Sequence, residues 1–241
     1  MSAFPDSHAL VELPATGKTE LLFLLCHGVG GDGAQMAPLA AALRAQYPQA
    51  AIVSLNGPER CDDPQCGPGW QWFSMLDRSP AVIAAQVKQA LPGFVARVRQ
   101  WAGHFELDWP LVALVGYSQG AIMSLEAVQA QARLAGRVIG LSGAYAWLPE
   151  AAPQDVCVHL LHGMQDEVLP YQPIVSAARE LVSLGADVTA DVLPGIGHAI
   201  DPRLVDKAME QLRTFLPGKL WREAVLQAAE QDRYGGSPGK P

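Results

Sequence analysis

The chain has 241 residues, enough to bury a sizeable core, and its composition of 49% hydrophobic and 17% charged residues is that of an ordinary globular protein. Its formal net charge is −7, and the sequence contains no cluster of lysine and arginine residues. Both observations argue against nucleic acid and anionic membrane surfaces as partners. The N-terminus lacks the basic and apolar segments of a signal peptide, and the longest apolar run, Leu21–Cys26, is too short to span a bilayer. We therefore expect a cytoplasmic protein without stable membrane insertion.

Apolar runs of strand length alternate with helical patterns along the chain. We predict an edge strand at 9–13 and buried strands at 21–26, 51–55, 111–115, 138–141, 156–162 and 188–193. Helices are predicted at 34–46, 81–102, 121–133, 173–184, 204–215 and 221–232. This alternation is typical of the α/β class, with a mostly parallel central sheet and helices on both faces. In such folds, function is expected in the loops at the carboxyl ends of the strands.

No repeat or long linker divides the chain. We expect residues 1–232 to form a single domain and residues 233–241 to be a disordered tail. Residues 56–79 form the longest stretch without periodicity, and loops of that length are usually functional or disordered. This loop contains Cys61 and Cys66, which could form a disulfide if oxidised, but a cytoplasmic protein is expected to keep all four cysteines as free thiols. The chain has no Cys-x-x-Cys pair, which argues against a structural zinc site.

The pentapeptide Gly-Tyr-Ser-Gln-Gly at 116–120 lies between a predicted strand and a predicted helix. A serine flanked by glycines at this junction is typical of a nucleophile elbow, in which a strained turn exposes the hydroxyl. Side chains at Gly116 or Gly120 would collide with their surroundings in so tight a turn. The pattern predicts that Ser118 is a nucleophile. The alternative is a Gly/Ser loop without function.

A serine hydroxyl needs a base within hydrogen-bond reach, and the base needs an orienting acid. In this architecture the chain order is serine, acid, histidine. His198 follows the last predicted strand in a glycine-containing loop, and Asp201 and Pro202 just after it predict the start of a helix. Asp166 lies in the loop after strand 156–162, with Glu167 beside it as the rival acid. The alternatives are a solvent-exposed loop histidine and a surface carboxylate.

An oxyanion hole is the third requirement of this chemistry. The backbone N–H of Gln119 follows the nucleophile at a helix N-terminus, where negative charge is favoured. The second donor should come from a loop after an early strand, and residues 27–33 contain four glycines. The N–H of Val29 is the first candidate there. A phosphate cradle is the competing interpretation, but the loop has neither the P-loop ending nor the dinucleotide spacing.

Four motifs together resemble the phospholipase/carboxylesterase family of α/β hydrolases, which includes the acyl-protein thioesterases. They are His-Gly-Val-Gly at 27–30, Gly-Tyr-Ser-Gln-Gly-Ala at 116–121, His-Gly at 162–163 followed by Asp166 and Val-Leu-Pro at 168–170, and Gly-His at 197–198. The resemblance covers roughly residues 20–215. It implies an α/β-hydrolase fold, esterase or thioesterase activity on short- to medium-chain acyl groups, and neither cofactor nor metal. It also implies Ser118, Asp166 and His198 as the triad, and Val29 and Gln119 as oxyanion donors.

The chain departs from the family pattern near the expected substrate pocket. Gly31 precedes the acid Asp32 in the early loop, and Ser74 stands where the family often has an acid. These departures bear on the substrate more than on the chemistry, and the chain looks like a bacterial subgroup. Three aromatic residues of the long loop could wall an acyl pocket or could pin the loop to the core, and both interpretations stay open. They are Trp70, Trp72 and Phe73.

The sequence therefore predicts a serine carboxylesterase or thioesterase that acts on a small-molecule acyl ester or thioester through an acyl-enzyme intermediate. Two alternatives remain at this point. One is lysophospholipase or acyl-protein thioesterase specificity, and the other is a catalytically idle hydrolase-fold module that binds a ligand. The acyl chain length and the oligomeric state have no signal in the sequence.

Overall fold

Residues 4–15 and 17–215, which the computed structural model describes, contain nine strands. In chain order these are β1 (Leu10–Glu12), β2 (Leu21–Cys26), β3 (Ala50–Leu55), β4 (Glu59–Arg60), β5 (Trp70–Gln71), β6 (Val112–Tyr117), β7 (Arg137–Leu141), β8 (Cys157–Gly163) and β9 (Asp187–Leu193). Seven of them form the main sheet in the order β1-β3-β2-β6-β7-β8-β9. Strand β1 pairs antiparallel at one edge, and every other neighbouring pair is parallel. The predicted strands and the mostly parallel sheet are confirmed.

Helices cover both faces of the sheet, as predicted. They are α1 (Ala37–Gln46), α2 (Pro80–His104), α3 (Gln119–Ala130), α4 (Gln172–Ser183) and α5 (Pro202–Thr214). Helices α1 and α5 bury their apolar residues in a cluster on one face, and α2, α3 and α4 do so on the other. The predicted helix at 34–46 is split into a 3₁₀ turn at Gly33–Met36 and α1, whose first turn contains Pro38. Proline is favoured there because the first helical N–H groups have no intrahelical acceptor.

Strand β2 shows why the buried strands are continuously apolar. Leu22 and Leu24 pack into the cluster under α2 and α3, whereas Phe23 and Leu25 pack into the cluster under α1 and α5. Successive side chains of a strand point to opposite faces, so a strand covered on both faces needs apolar residues at every position.

The active-site candidates gather where the chain reverses its direction across the sheet. From β2 the chain moves outward to β3, and it then returns to place β6 on the other side of β2. The carboxyl ends of β2 and β6 therefore adjoin, with Cys26 paired to Gly116. Such a switch point leaves a crevice outside the strand ends, which is where ligands bind in open α/β sheets.

The segment 56–79 is more structured than its lack of periodicity suggests. Strands β4 and β5 form a small antiparallel ribbon, and the 3₁₀ turn Pro64–Cys66 lies between them. The expectation of free thiols in this loop was wrong, because the structure joins Cys61 to Cys66 in a disulfide. The turn brings their Cα atoms to 6.6 Å, within the range that a disulfide can span. Cys26 and Cys157 are buried free thiols.

Two predictions fall on residues outside the described ranges, namely the helix at 221–232 and the tail at 233–241. Among the described helices, none has the length and the hydropathy needed to cross a bilayer.

Candidate active site

Ser118 occupies the turn between β6 and α3. Its backbone has φ 52° and ψ −117°, a conformation that non-glycine residues rarely adopt. Its N–H donates to the Leu141 carbonyl at 2.9 Å, which ties the turn to the neighbouring strand β7. The side chain lies at the carboxyl edge of the sheet, as the elbow pattern predicts.

The two glycines of the elbow are required by close backbone packing. A Cβ at Gly116 would lie 2.5 Å from the backbone of Ala121, and one at Gly120 would lie 2.7 Å from the His27 carbonyl oxygen. Both groups are held in place, because Gly120 N–H donates to that same His27 carbonyl at 3.1 Å and Ala121 N–H donates to the Ser118 carbonyl at 3.0 Å. The steric reason predicted for these glycines is confirmed.

The structure brings Ser118, His198 and Asp166 into one hydrogen-bonded line. His198 Nε2 lies 2.9 Å from Ser118 Oγ, and His198 Nδ1 lies 2.7 Å from Asp166 Oδ2. A carboxylate oxygen can only accept, so Nδ1 carries the proton and Nε2 is free to accept from the serine hydroxyl. The side chain of Asp166 is fully buried, whereas the rival Glu167 is exposed.

Two loops that follow neighbouring strands hold the acid and the histidine together. A Cβ at Gly163 would meet the Gly197 carbonyl oxygen at 2.7 Å, so glycine lets the loop after β8 approach the loop after β9. Gln165 N–H donates to the Ile196 carbonyl at 2.9 Å and joins the two loops. Asp201 then caps α5 by accepting from Arg203 N–H, as the sequence predicts.

Tyr117 contacts His198 through its hydroxyl and through its ring. Its hydroxyl donates to the His198 carbonyl at 3.1 Å, and the two ring centroids lie 5.2 Å apart. Burial and the nearby charge of Asp166 raise the pKa of Tyr117 to about 12, so the phenol stays protonated and remains a donor.

The glycine-rich loop after β2 lies directly beside the serine. A Cβ at Gly28 would be 3.2 Å from Ser118 Cβ, which is a tight contact that the neighbouring side chains would have to relieve. The ring of His27 is buried, with Nδ1 2.6 Å from the Gly28 carbonyl and Nε2 accepting from Gly57 N–H at 2.8 Å. Within the described part of the chain, neither Val29 N–H nor Gln119 N–H donates to another residue. Both N–H groups are therefore free to donate to a ligand.

The side chain of Gln119 has a contact that no sequence signal marks. Its Oε1 accepts from Trp72 N–H, and its Nε2 donates to the Phe73 carbonyl, both at 2.8 Å. The side-chain amide thus makes two hydrogen bonds to the backbone of the long loop. Trp72 is also held through its indole N–H, which donates to the His27 carbonyl at 2.9 Å. These bonds tie the long loop to the elbow and to the early loop together.

The aromatic residues of the long loop separate into two places. Trp72 and Phe73 are buried and line a cavity of about 400 Å³, which also contacts Phe94 of α2 and Met123 of α3. Trp70 lines a separate cavity, and the Arg60 guanidinium stacks on its ring at 4.1 Å.

Glu126 of α3 is a buried acid outside the hydrogen-bonded line. Its Oε1 accepts from Ala146 N–H at 2.6 Å and from Trp147 N–H at 3.4 Å, which holds the loop after β7. Its Oε2 is buried and has no partner among the described residues. Burial, only partly offset by the two N–H donors, raises the pKa of Glu126 to about 7.

This raised pKa predicts that Glu126 destabilises the fold as the pH rises. Between pH values of about 4.5 and about 7, the Glu126 carboxyl is still protonated in the folded state but has lost its proton in the unfolded state. The free energy of unfolding therefore falls with rising pH. Between pH 5 and pH 8 the Glu126→Gln variant should gain about 2 kcal/mol relative to wild type in urea denaturation. The exposed Glu150→Gln is the control and should show no such gain. Equal curves for Glu126→Gln and wild type at both pH values would contradict the prediction.

Comparison with known proteins agrees with this architecture. A family model described as Phospholipase/Carboxylesterase matches residues 7–216. Esterase YpfH of Escherichia coli (strain K12) is 37% identical over 232 residues, which cover 96% of this chain and 95% of that protein. Acyl-protein thioesterase 1 of Aspergillus fumigatus is 26% identical over 225 residues, which cover 85% of this chain and 92% of that protein.

Solved structures show the same fold. The crystal structure of esterase PE8 superimposes with a TM-score of 0.78 at 27% identity, covering 86% of this chain and 98% of that one. A carboxylesterase from Mesorhizobium loti has a TM-score of 0.68 at 20% identity, covering 82% of this chain and 90% of that one, and this likeness concerns the fold alone. The chain therefore belongs to the phospholipase/carboxylesterase family and has the α/β-hydrolase fold of that family.

Proposed function

We propose that this chain is a serine hydrolase of carboxylic esters or thioesters, with Ser118 as nucleophile, His198 as base and Asp166 as the orienting acid. The observation that carries the proposal is the unbroken line from Ser118 Oγ to His198 Nε2 at 2.9 Å and from His198 Nδ1 to Asp166 Oδ2 at 2.7 Å. Membership of a carboxylesterase family supports the same chemistry.

The reaction begins when His198 Nε2 takes the proton of the Ser118 hydroxyl as Oγ bonds to the acyl carbonyl carbon. The carbonyl electrons move to oxygen, and the buried Asp166 carboxylate stabilises the imidazolium. As the tetrahedral intermediate collapses, the bond to the leaving alcohol or thiol breaks, and that group takes the proton from Nε2. Water then attacks the acyl-enzyme by the same proton path and releases a carboxylic acid and free Ser118.

The N–H groups of Val29 and Gln119 are proposed to hold the oxyanion. Gln119 is the first residue of α3, so its free N–H lies at the positive end of the helix dipole. Val29 belongs to the loop that packs against Ser118 through Gly28. Two such donors, fixed before the substrate arrives, stabilise charge that appears only in the transition state.

The substrate is proposed to be a small-molecule ester or thioester with a short- to medium-chain acyl group, and the scheme requires no cofactor. Trp72 and Phe73 are the proposed acyl-site walls, because both line a cavity of about 400 Å³ that reaches Met123, one turn beyond Gln119 on α3. Trp70 lines the neighbouring cavity and is proposed to contribute to substrate binding by holding the loop that contains Trp72 and Phe73.

The proposal is tested with a fluorophosphonate probe and a chain-length series. The probe should label the wild-type chain at Ser118, as located by peptide mass spectrometry, and hydrolysis should peak at a short or medium chain among p-nitrophenyl esters and acyl thioesters. The Met123→Trp variant, which adds bulk inside the cavity, should move the optimum to shorter chains, whereas the exposed Met164→Trp should not. A folded chain that neither reacts with the probe nor hydrolyses any ester would instead be an idle binding module.

A further inference from the structure

His162 lies beside the proposed triad but takes no part in its proton transfers. It belongs to β8, four residues before Asp166, and only 1% of its side chain is exposed. A histidine so deeply buried needs hydrogen-bond partners, and those partners show what it does.

The ring nitrogen that faces the triad is a donor. His162 Nε2 lies 2.7 Å from the Leu169 carbonyl oxygen and 3.2 Å from Asp166 Oδ2. Both oxygens are acceptors only, so the proton of this imidazole resides on Nε2, and the single N–H is shared between them.

The Asp166 carboxylate therefore has four hydrogen-bond donors around it. Its Oδ1 accepts from Val168 N–H at 3.0 Å and from Leu169 N–H at 2.8 Å. Its Oδ2 accepts from His198 Nδ1 at 2.7 Å and, more weakly, from His162 Nε2 at 3.2 Å. Two imidazoles thus donate to the same carboxylate oxygen.

The surroundings favour the uncharged form of His162. Burial is the main cause that lowers its pKa, and the His198 ring lowers it further, against the opposing charge of Asp166 and the bond to Leu169. Its Nδ1 is buried without a partner among the described residues. The titratable groups around it are Asp166 on its own loop and His198 from the loop after β9, with Tyr117 of β6 also close to Asp166. A neutral donor can hold the carboxylate without adding a second positive charge beside the imidazolium.

We propose that His162 is a positioning residue of the triad, an inference that rests on the proposed function. Its neutral Nε2–H holds Asp166 Oδ2 in line with His198 Nδ1 and disperses part of the carboxylate charge. Without the His162 donor, the Asp166 carboxylate would stabilise a protonated His198 more strongly, and a protonated His198 cannot act as the base. His162 therefore also extends activity toward lower pH.

The variants His162→Met and His162→Gln separate this role from packing. Methionine fills a similar volume without a donor, whereas the glutamine amide can place an N–H near the position of Nε2. We expect His162→Met to lower kcat about tenfold, with little change in KM, and to move the acid limb of the kcat/KM profile up by about half a pH unit. His162→Gln should recover most of both. An acid limb that stays at the wild-type pH in a folded His162→Met chain would overturn the proposal.

Nitrogen-15 histidine NMR on the unliganded wild-type chain tests the same point without turnover. His162 should show the Nε2–H tautomer and should be neutral at pH 7.5, and a low-field proton should report the bond from His198 Nδ1 to Asp166. A His162 that is protonated on both nitrogens at pH 7.5, or that carries its single proton on Nδ1, refutes the inference even if both variants fail to fold. Because this readout needs no substrate, it also separates failure here from failure of the proposed hydrolysis.

Discussion

Replacing Ser118 with alanine is expected to lower kcat for a short p-nitrophenyl ester by roughly 10⁵-fold or more, because removing the nucleophile of such a triad costs nearly as much as removing all of it. The fold should survive. The bond from residue 118 N–H to the Leu141 carbonyl involves only the backbone, and alanine adds no atom to the tight turn. Steady-state kinetics and thermal unfolding on the same preparation measure both effects.

A second serine on the same helix provides the control. Ser124 is buried in α3, and its hydroxyl donates to the Gly120 carbonyl at 2.8 Å. The Ser124→Ala variant should keep kcat close to wild type, with at most about 1 kcal/mol of lost stability. Turnover by Ser118→Ala at the wild-type rate would remove Ser118 from the mechanism and leave the fold assignment untouched.

Replacing Gly30 with alanine is expected to lower kcat about 10²-fold and the free energy of unfolding by about 2 kcal/mol. Gly30 has φ 73°, and a Cβ there would overlap the Cys66 carbonyl oxygen. Its N–H donates to the Trp70 carbonyl at 2.8 Å, so the loop cannot move away without losing that bond. The clash therefore displaces either the disulfide turn or the adjacent Val29 N–H that we assign to the oxyanion hole. Kinetics and urea denaturation measure the two losses.

Gly103→Ala is the matched control for this substitution. Gly103 lies near the end of α2, is exposed, and has open space where a Cβ would be added. Alanine there should leave kcat unchanged and stabilise the chain by about 0.5 kcal/mol, because alanine is the better helix former. If Gly30→Ala loses stability yet keeps its kcat, the expected loss of activity is contradicted, and the disulfide turn rather than the Val29 N–H has moved to relieve the clash.

The central fold was readable in the sequence because its signals are local. Each strand of the parallel sheet is buried on both faces and so appears as a continuous apolar run, as β2 and β6 do. Their predicted bounds lie within about two residues of those observed. The predicted helix at 34–46 differs because a 3₁₀ turn precedes Pro38, and such a turn leaves the same spacing of apolar residues as a helix.

The candidates for the triad were also determined by local pattern and chain order. The glycines at 116 and 120 mark the elbow, and the order of serine, acid and histidine restricts where the partners can be. Between the neighbours Asp166 and Glu167 the sequence only favoured the first. The structure separates them, because the side chain of Asp166 is buried with four donors around it and Glu167 is exposed.

Only the tertiary structure decided how the loops meet. The disulfide, the pairing of Gln119 with Trp72 and Phe73, and the approach of His162 to Asp166 leave no periodic trace in the sequence. Apolar periodicity records which face of an element is buried, whereas a hydrogen bond between two loops depends on where separate strands end in space. By itself the sequence determined the family, the sheet and the candidate nucleophile Ser118. The packing of four loops at the carboxyl edge of that sheet determined which acid, which backbone donors and which second histidine surround it.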